Sequence, residues 1–135
     1  MRFEPYDVEY AAIPTLSDTD RLDYFLMRAF ETEDIWALRQ GKAWFAREVD
    51  GVLLMPLWPY KRYASDAALD VWMDCRPDAM SLEFFMDSEI AELEARNILF
   101  DVMPREDQPG CVITPRQLAG ILEGMQDAGE YRLEG

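Results

Sequence analysis

Asp50-Gly51 stands between two apolar segments, "AWFAREV" and "VLLMPLW", and it constrains the fold more than any other short feature of this chain. Asp and Gly tolerate the positive φ that a tight primed turn demands, so the flanking segments are expected to pair as an antiparallel hairpin. Gly41 supplies an earlier turn after "IWALRQ", which extends the hairpin to a three-stranded meander ending near Trp58. A second pair is expected from "ILFDVMP" and "CVIT", joined by the turn-rich "REDQPG".

Helical periodicity lies around these strands. Ser17 or Asp18 offers an N-cap ahead of Leu22, Phe25, Leu26, Ala29 and Phe30, which recur at i, i+3, i+4, i+7 and i+8. Ser81 can cap a helix bearing Leu82, Phe85, Ile90 and Leu93, with Asn97 closing it in a left-handed conformation. Thr114-Pro115 starts a last helix whose stripe is Leu118, Ile121, Leu122 and Met125, with Gly129 as its stop. A further helix of about three turns follows Pro59. The first ~16 residues read as an extended lead-in and residues 130–135 as a loose tail. The order implies a single compact α+β domain over residues 1–135, an antiparallel sheet of about five strands with about four helices packed against it.

Composition narrows the function. The 135 residues carry 27 Asp plus Glu against 13 Lys plus Arg, a formal net charge of −14, and no histidine. Such a surface repels nucleic-acid phosphates and anionic membranes and favours a basic protein partner. Without histidine, neither a Ser-His-Asp nor a Cys-His arrangement can form, nor can imidazole bind a metal. Neither a GxSxG elbow nor a phosphate-binding glycine loop occurs. The expectation is no catalytic residue, no metal and no cofactor. Cys75 and Cys111 have no CxxC spacing, and whether they approach each other is open. The charged N-terminus and the lack of a long apolar run point to a cytoplasmic protein, its oligomeric state undetermined.

"PLWPYKRYASDAALD", residues 56–70, contains the candidate site residues. Trp58 and Tyr63 can cap the end of the sheet as core, or Trp58 and Tyr60 can anchor a partner. Lys61, Arg62 and Tyr63 form a possible anion-binding edge, although an Arg62–Asp66 helix-surface pair explains the arginine as well. Asp66, Asp70 and Asp74 follow at i+4 intervals. If the helix extends that far they make one acidic stripe, and if it ends near Asp70 they do not.

A helix, "W-x-L", a glycine turn, "PLWPYKRYA", "SLEFF", "ILFDVMP" and "GCVITPRQLAGILE" together resemble the bacterial family termed domain of unknown function 2750, over roughly residues 21–123. Its most specific part is Pro56-Leu57-Trp58-Pro59 with Tyr63-Ala64, supported by Phe85 and Pro104. The resemblance implies a small stand-alone cytoplasmic protein of compact α+β fold, with no known activity and no catalytic residues to transfer. From charge, size and missing motifs, the expected function is an immunity- or antitoxin-type inhibitor that occludes the active site of a basic toxin or effector, using Asp66, Asp70, Asp74, Trp58 and Tyr60. The alternatives are a small-anion sensor or carboxylate enzyme at the aromatic corner, and a regulatory subunit.

Overall fold

A computed structural model describes residues 5–69, 72–105 and 109–128. The α+β class is as expected, and the local signals are realised. Glu33, Asp50, Asn97, Gly41 and Gly51 all take positive φ, so both hairpin turns and the left-handed helix end at Asn97 form where the residue types allow them. Ser17 Oγ accepts from the Asp20 N–H at 3.1 Å at the start of α2 (Asp18–Thr32). Ser81 Oγ accepts from Phe84 N–H at 3.1 Å ahead of α4 (Leu82–Phe84). At α6 (Pro115–Ala128), Thr114 Oγ1 accepts from Gln117 N–H and Gln117 Oε1 accepts from Thr114 N–H, a reciprocal box.

The sheet departs from the single antiparallel one expected. The described residues form seven strands in two sheets. In one, β1 (Asp34–Gln40) lies between β2 (Ala43–Trp44) and β5 (Arg76–Ser81), antiparallel to both. In the other the order is β3 (Arg47–Val49), β4 (Val52–Leu57), β6 (Ile98–Val102) and β7 (Cys111–Ile113). Here β4 and β6 run parallel, in register from Leu53–Ile98 to Leu57–Val102. Two helical segments separate these strands in sequence, which is the long crossover that a parallel pair needs. The middle strand of the meander is split: Ala43–Trp44 pairs back to β1, and after Phe45-Ala46 the chain pairs forward to β4. Trp36 and Trp58 join the two sheets by exchanging backbone hydrogen bonds of 2.8 and 2.9 Å.

Helices cover this framework. α2 packs on β1, β6 and β7 through Phe25, Leu26 and Ala29. α3 (Lys61–Leu69) packs on β1 and β5, and α6 on β6 and α5 (Ile90–Ala95). In α6, Leu118 and Leu122 are buried while Ile121, expected on the same stripe, sits at its exposed edge. Between α4 and α5 the chain makes a π turn, Phe85–Glu89, closed by the Ile90 N–H to the Phe85 carbonyl. Phe85 and Ile90 are five residues apart, a spacing that an α-helix turns away from one face and an i+5 turn brings into line. Both are buried, and the Phe85 ring meets Phe100 at 5.4 Å.

The expected extended lead-in is instead α1 (Asp7–Ala12) followed by a 3₁₀ turn, Ile13–Thr15. Its start is secured locally, because Glu9 Oε1 accepts the Tyr6 N–H at 3.1 Å and Asp7 and Glu9 sit in the first turn, where the helix dipole favours them. The tail at 130–135 and Gly129 lie outside the described residues.

Two partly or fully buried carboxyls tie stability to pH. Burial, with the neighbouring Glu33 charge, pushes Asp34 above its ordinary pKa of 3.8. Burial also pushes Asp101 up, against the opposing pull of the Gly110 N–H and Arg47. A folded-state pKa above the unfolded one means that the native state binds protons more readily. Stability from these groups is therefore complete below about 3.8 and is lost as pH rises through their folded values. Thermal melts between about pH 4.5 and 7.5 are expected to show the higher midpoint on the acid side, with a shallower slope in Asp101→Asn. A midpoint that falls steadily with acidification contradicts this.

Candidate functional site

The aromatic corner forms where β4 ends. Trp58 is fixed by its bonds to Trp36, and three residues later α3 begins at Lys61, carrying Tyr63 inward on its first turn. Tyr63 is the centre of a tyrosine cluster. Its ring stacks on Tyr10 at 5.6 Å with an interplanar angle of 8°, meets Tyr24 edge-on at 6.1 Å and lies 6.2 Å from Tyr60. The Tyr24 and Tyr63 hydroxyls are hydrogen-bonded at 2.8 Å. Burial pushes the Tyr63 hydroxyl up to about 12 and raises that of Tyr24 as well, so both stay protonated near neutrality. Trp72 completes the corner, tilted against Trp58 at 6.2 Å and Phe45 at 5.3 Å.

A cleft of about 250 Å³ opens at this corner. Trp58, Tyr63, Ala67 and Trp72 form one wall, and Met103 and Pro104 from the β6–β7 connection form another. Tyr10, Ile13 and Pro14 of the N-terminal segment close over it. Its charged lining is Asp66, Arg21 and Arg105. Tyr10 donates its hydroxyl to Asp66, whose acceptance of that proton raises the Tyr10 pKa. Arg28 holds Glu9 at 2.9 Å, fastening α1 to α2.

The structure redistributes the expected site residues. Trp58 and Tyr60 are buried, so neither projects as an anchor for a partner; Trp58 faces the cleft and Tyr60 belongs to the core. Buried area in the corner outcompetes exposure for rings of this size. Lys61 lies 6.0 Å over the Trp36 ring, and Arg62 lies 3.6 Å over Tyr10 with Asp7 at 3.9 Å. Neither lines the cleft, whereas Tyr63 does. Arg62 therefore serves to pin α1, in place of the expected pair with Asp66.

The acidic stripe does not form as one helical face. α3 is described over Lys61–Leu69, Asp70 lies outside the described residues, and Asp74 falls in a turn where it accepts from Gln40 Nε2 at 3.0 Å. Asp66 is engaged by Tyr10.

Arg21 and Arg105 were not singled out by sequence reasoning. A signal for Arg21 existed: counting back four residues from Phe25 along the inward stripe lands on it, and it is 3% exposed. Arg105 had none, since its place depends on the β6–β7 connection folding back over α2.

The family model for "Protein of unknown function (DUF2750)" matches residues 22–122, three-quarters of the chain. The chain belongs to the DUF2750 family. A search of curated proteins returns no match. The matched span contains the Trp58, Tyr63 and Trp72 wall and the Met103–Arg105 connection, while Tyr10, Ile13, Pro14 and Arg21 precede it. The cleft is thus lined mainly by the family's body, eight of its residues, and completed by four residues ahead of it. Among the described residues, no three His, Cys, Asp or Glu side chains are grouped to hold a metal ion, and no helix is long and apolar enough to cross a membrane. Cys75 and Cys111 are free thiols, both raised in pKa by burial.

Proposed function

We propose that this DUF2750 protein is a non-catalytic binding protein of the cytoplasm whose aromatic cleft receives a small organic ligand. The observation that carries this reading is the cleft itself: mostly apolar walls from four separate chain segments, with a few polar groups converging on it, are what small-molecule sites usually consist of. Tyr63, held protonated and sharing a hydrogen bond with the Tyr24 hydroxyl, is suited to donate its proton to a ligand when Tyr24 is the donor of that pair. Two free thiols suit a reducing compartment. The test is a thermal-shift survey with metabolites, nucleotides and aromatic acids. A true ligand at about 100 times its Kd stabilises by about 2.7 kcal/mol, and Trp72→Ala is expected to abolish the shift. If no compound shifts the midpoint, the reading fails.

A second reading, an immunity- or antitoxin-type inhibitor of a basic toxin or effector, is favoured by the outer face of α2. There Asp20, Asp23 and Glu31 are exposed around Met27, which is 49% exposed. An apolar side chain ringed by carboxylates is a reasonable footprint for a basic protein surface. In this reading the acidic contact lies on α2 and not after Asp66. Capture of a toxin or effector encoded beside the gene, lost on reversing Asp20 and Asp23 to Lys, supports it; capture unaffected by the reversal removes it.

A further inference from the structure

Arg21 is the cation whose surroundings set it apart. It is 3% exposed, yet among the described residues its hydrogen-bond partners are backbone carbonyls alone: Leu16 at 3.2 Å from Nε, Met103 at 2.7 Å from Nη1 and Ile13 at 3.0 Å from Nη2. These contacts use three of its five N–H groups. A guanidinium taken out of water is costly unless an opposite charge accompanies it, and carbonyl dipoles supply only part of that. Arg105 brings a second cation to the same cleft. It donates to Asp18 at 2.7 Å and to the Pro109 carbonyl at 2.8 Å, and reaches the Leu16 carbonyl at 3.4 Å. Burial, and then the proximity of Arg105, lower the pKa of Arg21 against the opposing pull of Asp18 and Asp101.

The local balance is then one positive charge in excess at this end of the cleft: two guanidiniums against the Asp18 carboxylate, with Asp101, which also acts on Arg21, already matched by Arg47. This occurs in a chain of net charge −14. The other lining acid, Asp66, is bonded by Tyr10. One residual positive charge matches a monoanion better than a phosphate dianion, and Asp66 on the lining penalises extra negative charge. The volume of about 250 Å³ corresponds to roughly eight waters of liquid, room for one or two fused rings with a short acid group.

Building on the small-ligand reading above, we propose that the cleft takes a planar aromatic monocarboxylate, with its acid group toward Arg21 and Arg105 and its ring against Trp58, Trp72 and Tyr63. Arg21 contributes charge and its free N–H groups while its carbonyl contacts hold it still. The indole walls supply the stacking area that selects a flat body.

The experiment titrates the full-length protein with indole-3-acetate, indole-3-acetamide and indole, reading calorimetric heat. The acid is expected to bind at least about tenfold more tightly than the amide, as for hydrogen bonds to a charged group. Arg21→Gln alters a side chain that is 3% exposed and held wholly inside, so the more exposed Arg105 carries the test: Arg105→Gln cancels the excess charge, and the acid's advantage should shrink to about twofold or less, with the melting midpoint monitored because the bonds to Asp18, Pro109 and Leu16 go with it. Equal affinity for acid and amide overturns the monocarboxylate proposal while leaving the cleft as a small-ligand site. An acid preference that survives Arg105→Gln unchanged also overturns it. Binding by none of the three probes overturns the proposal, and the small-ligand reading falls with it only if the metabolite survey is negative too.

Discussion

Replacing Asp101 by alanine is expected to lower the unfolding free energy by about 3–5 kcal/mol, read from urea or thermal unfolding at neutral pH. Asp101 lies in the middle of β6 and is 0% exposed. One carboxylate oxygen receives Arg47 Nη2 at 3.2 Å and the other the Gly110 N–H at 2.7 Å. Arg47 comes from β3, two strands away in the sheet, so the pair ties three strands across one face. Alanine leaves Arg47 partly buried without its counter-charge, and Arg47 Nε is already buried with no hydrogen-bond partner. It also leaves the Gly110 N–H unsatisfied. A loss under about 1 kcal/mol would mean that Arg47 swings to water and that Asp101 does not organise the connection.

The second large effect is expected at the other end of that hydrogen bond. A Cβ at Gly110 would lie 2.4 Å from the carbonyl oxygens of both Val102 and Met103. These are backbone atoms at the end of β6, and no rotamer change relieves the overlap. Gly110→Ala should therefore cost about 3 kcal/mol through forced separation of the two chain segments. Because Met103, Pro104 and Arg105 follow at once, the same substitution is expected to disturb the cleft as well as the fold. An Ala variant that melts like the parent would show that this connection yields without penalty.

What could be read from the chain alone depended on range. Asp50-Gly51, Asn97, Ser17, Ser81 and Thr114-Pro115 each act on atoms within about three residues, and each does in the structure what its chemistry permits. The strand pairings that cross the molecule were less accessible. Nothing local in "AWFAREV" distinguishes a continuous strand from one shared between two sheets, and nothing in "ILFDVMP" chooses Val52–Leu57 as its parallel neighbour. α1 was hidden by the prolines and aromatics around it, although the Tyr6–Glu9 contact that starts it is local. The corner at Trp58 and Tyr63 was legible as fold, and it borders the cleft. The cations that matter there were not, because a charged residue on an amphipathic helix ordinarily faces water and Arg21 does not. The i+4 aspartates show the reverse: regular spacing does not by itself put Asp74 on the helix, and it lies in a turn.

The reciprocal bonds between Trp36 and Trp58 have a consequence for how the molecule comes apart. Trp36 lies within β1 and Trp58 directly follows β4, strands of different sheets, and each is the other's hydrogen-bond donor and acceptor. α2 packs on strands of both sheets. Neither sheet can then open without exposing the indoles and the helix face that the other relies on. Two sheets that could have been separate foldons are coupled into one cooperative unit, and the cleft, which draws Trp58 from this junction, is lost in the same transition as the core.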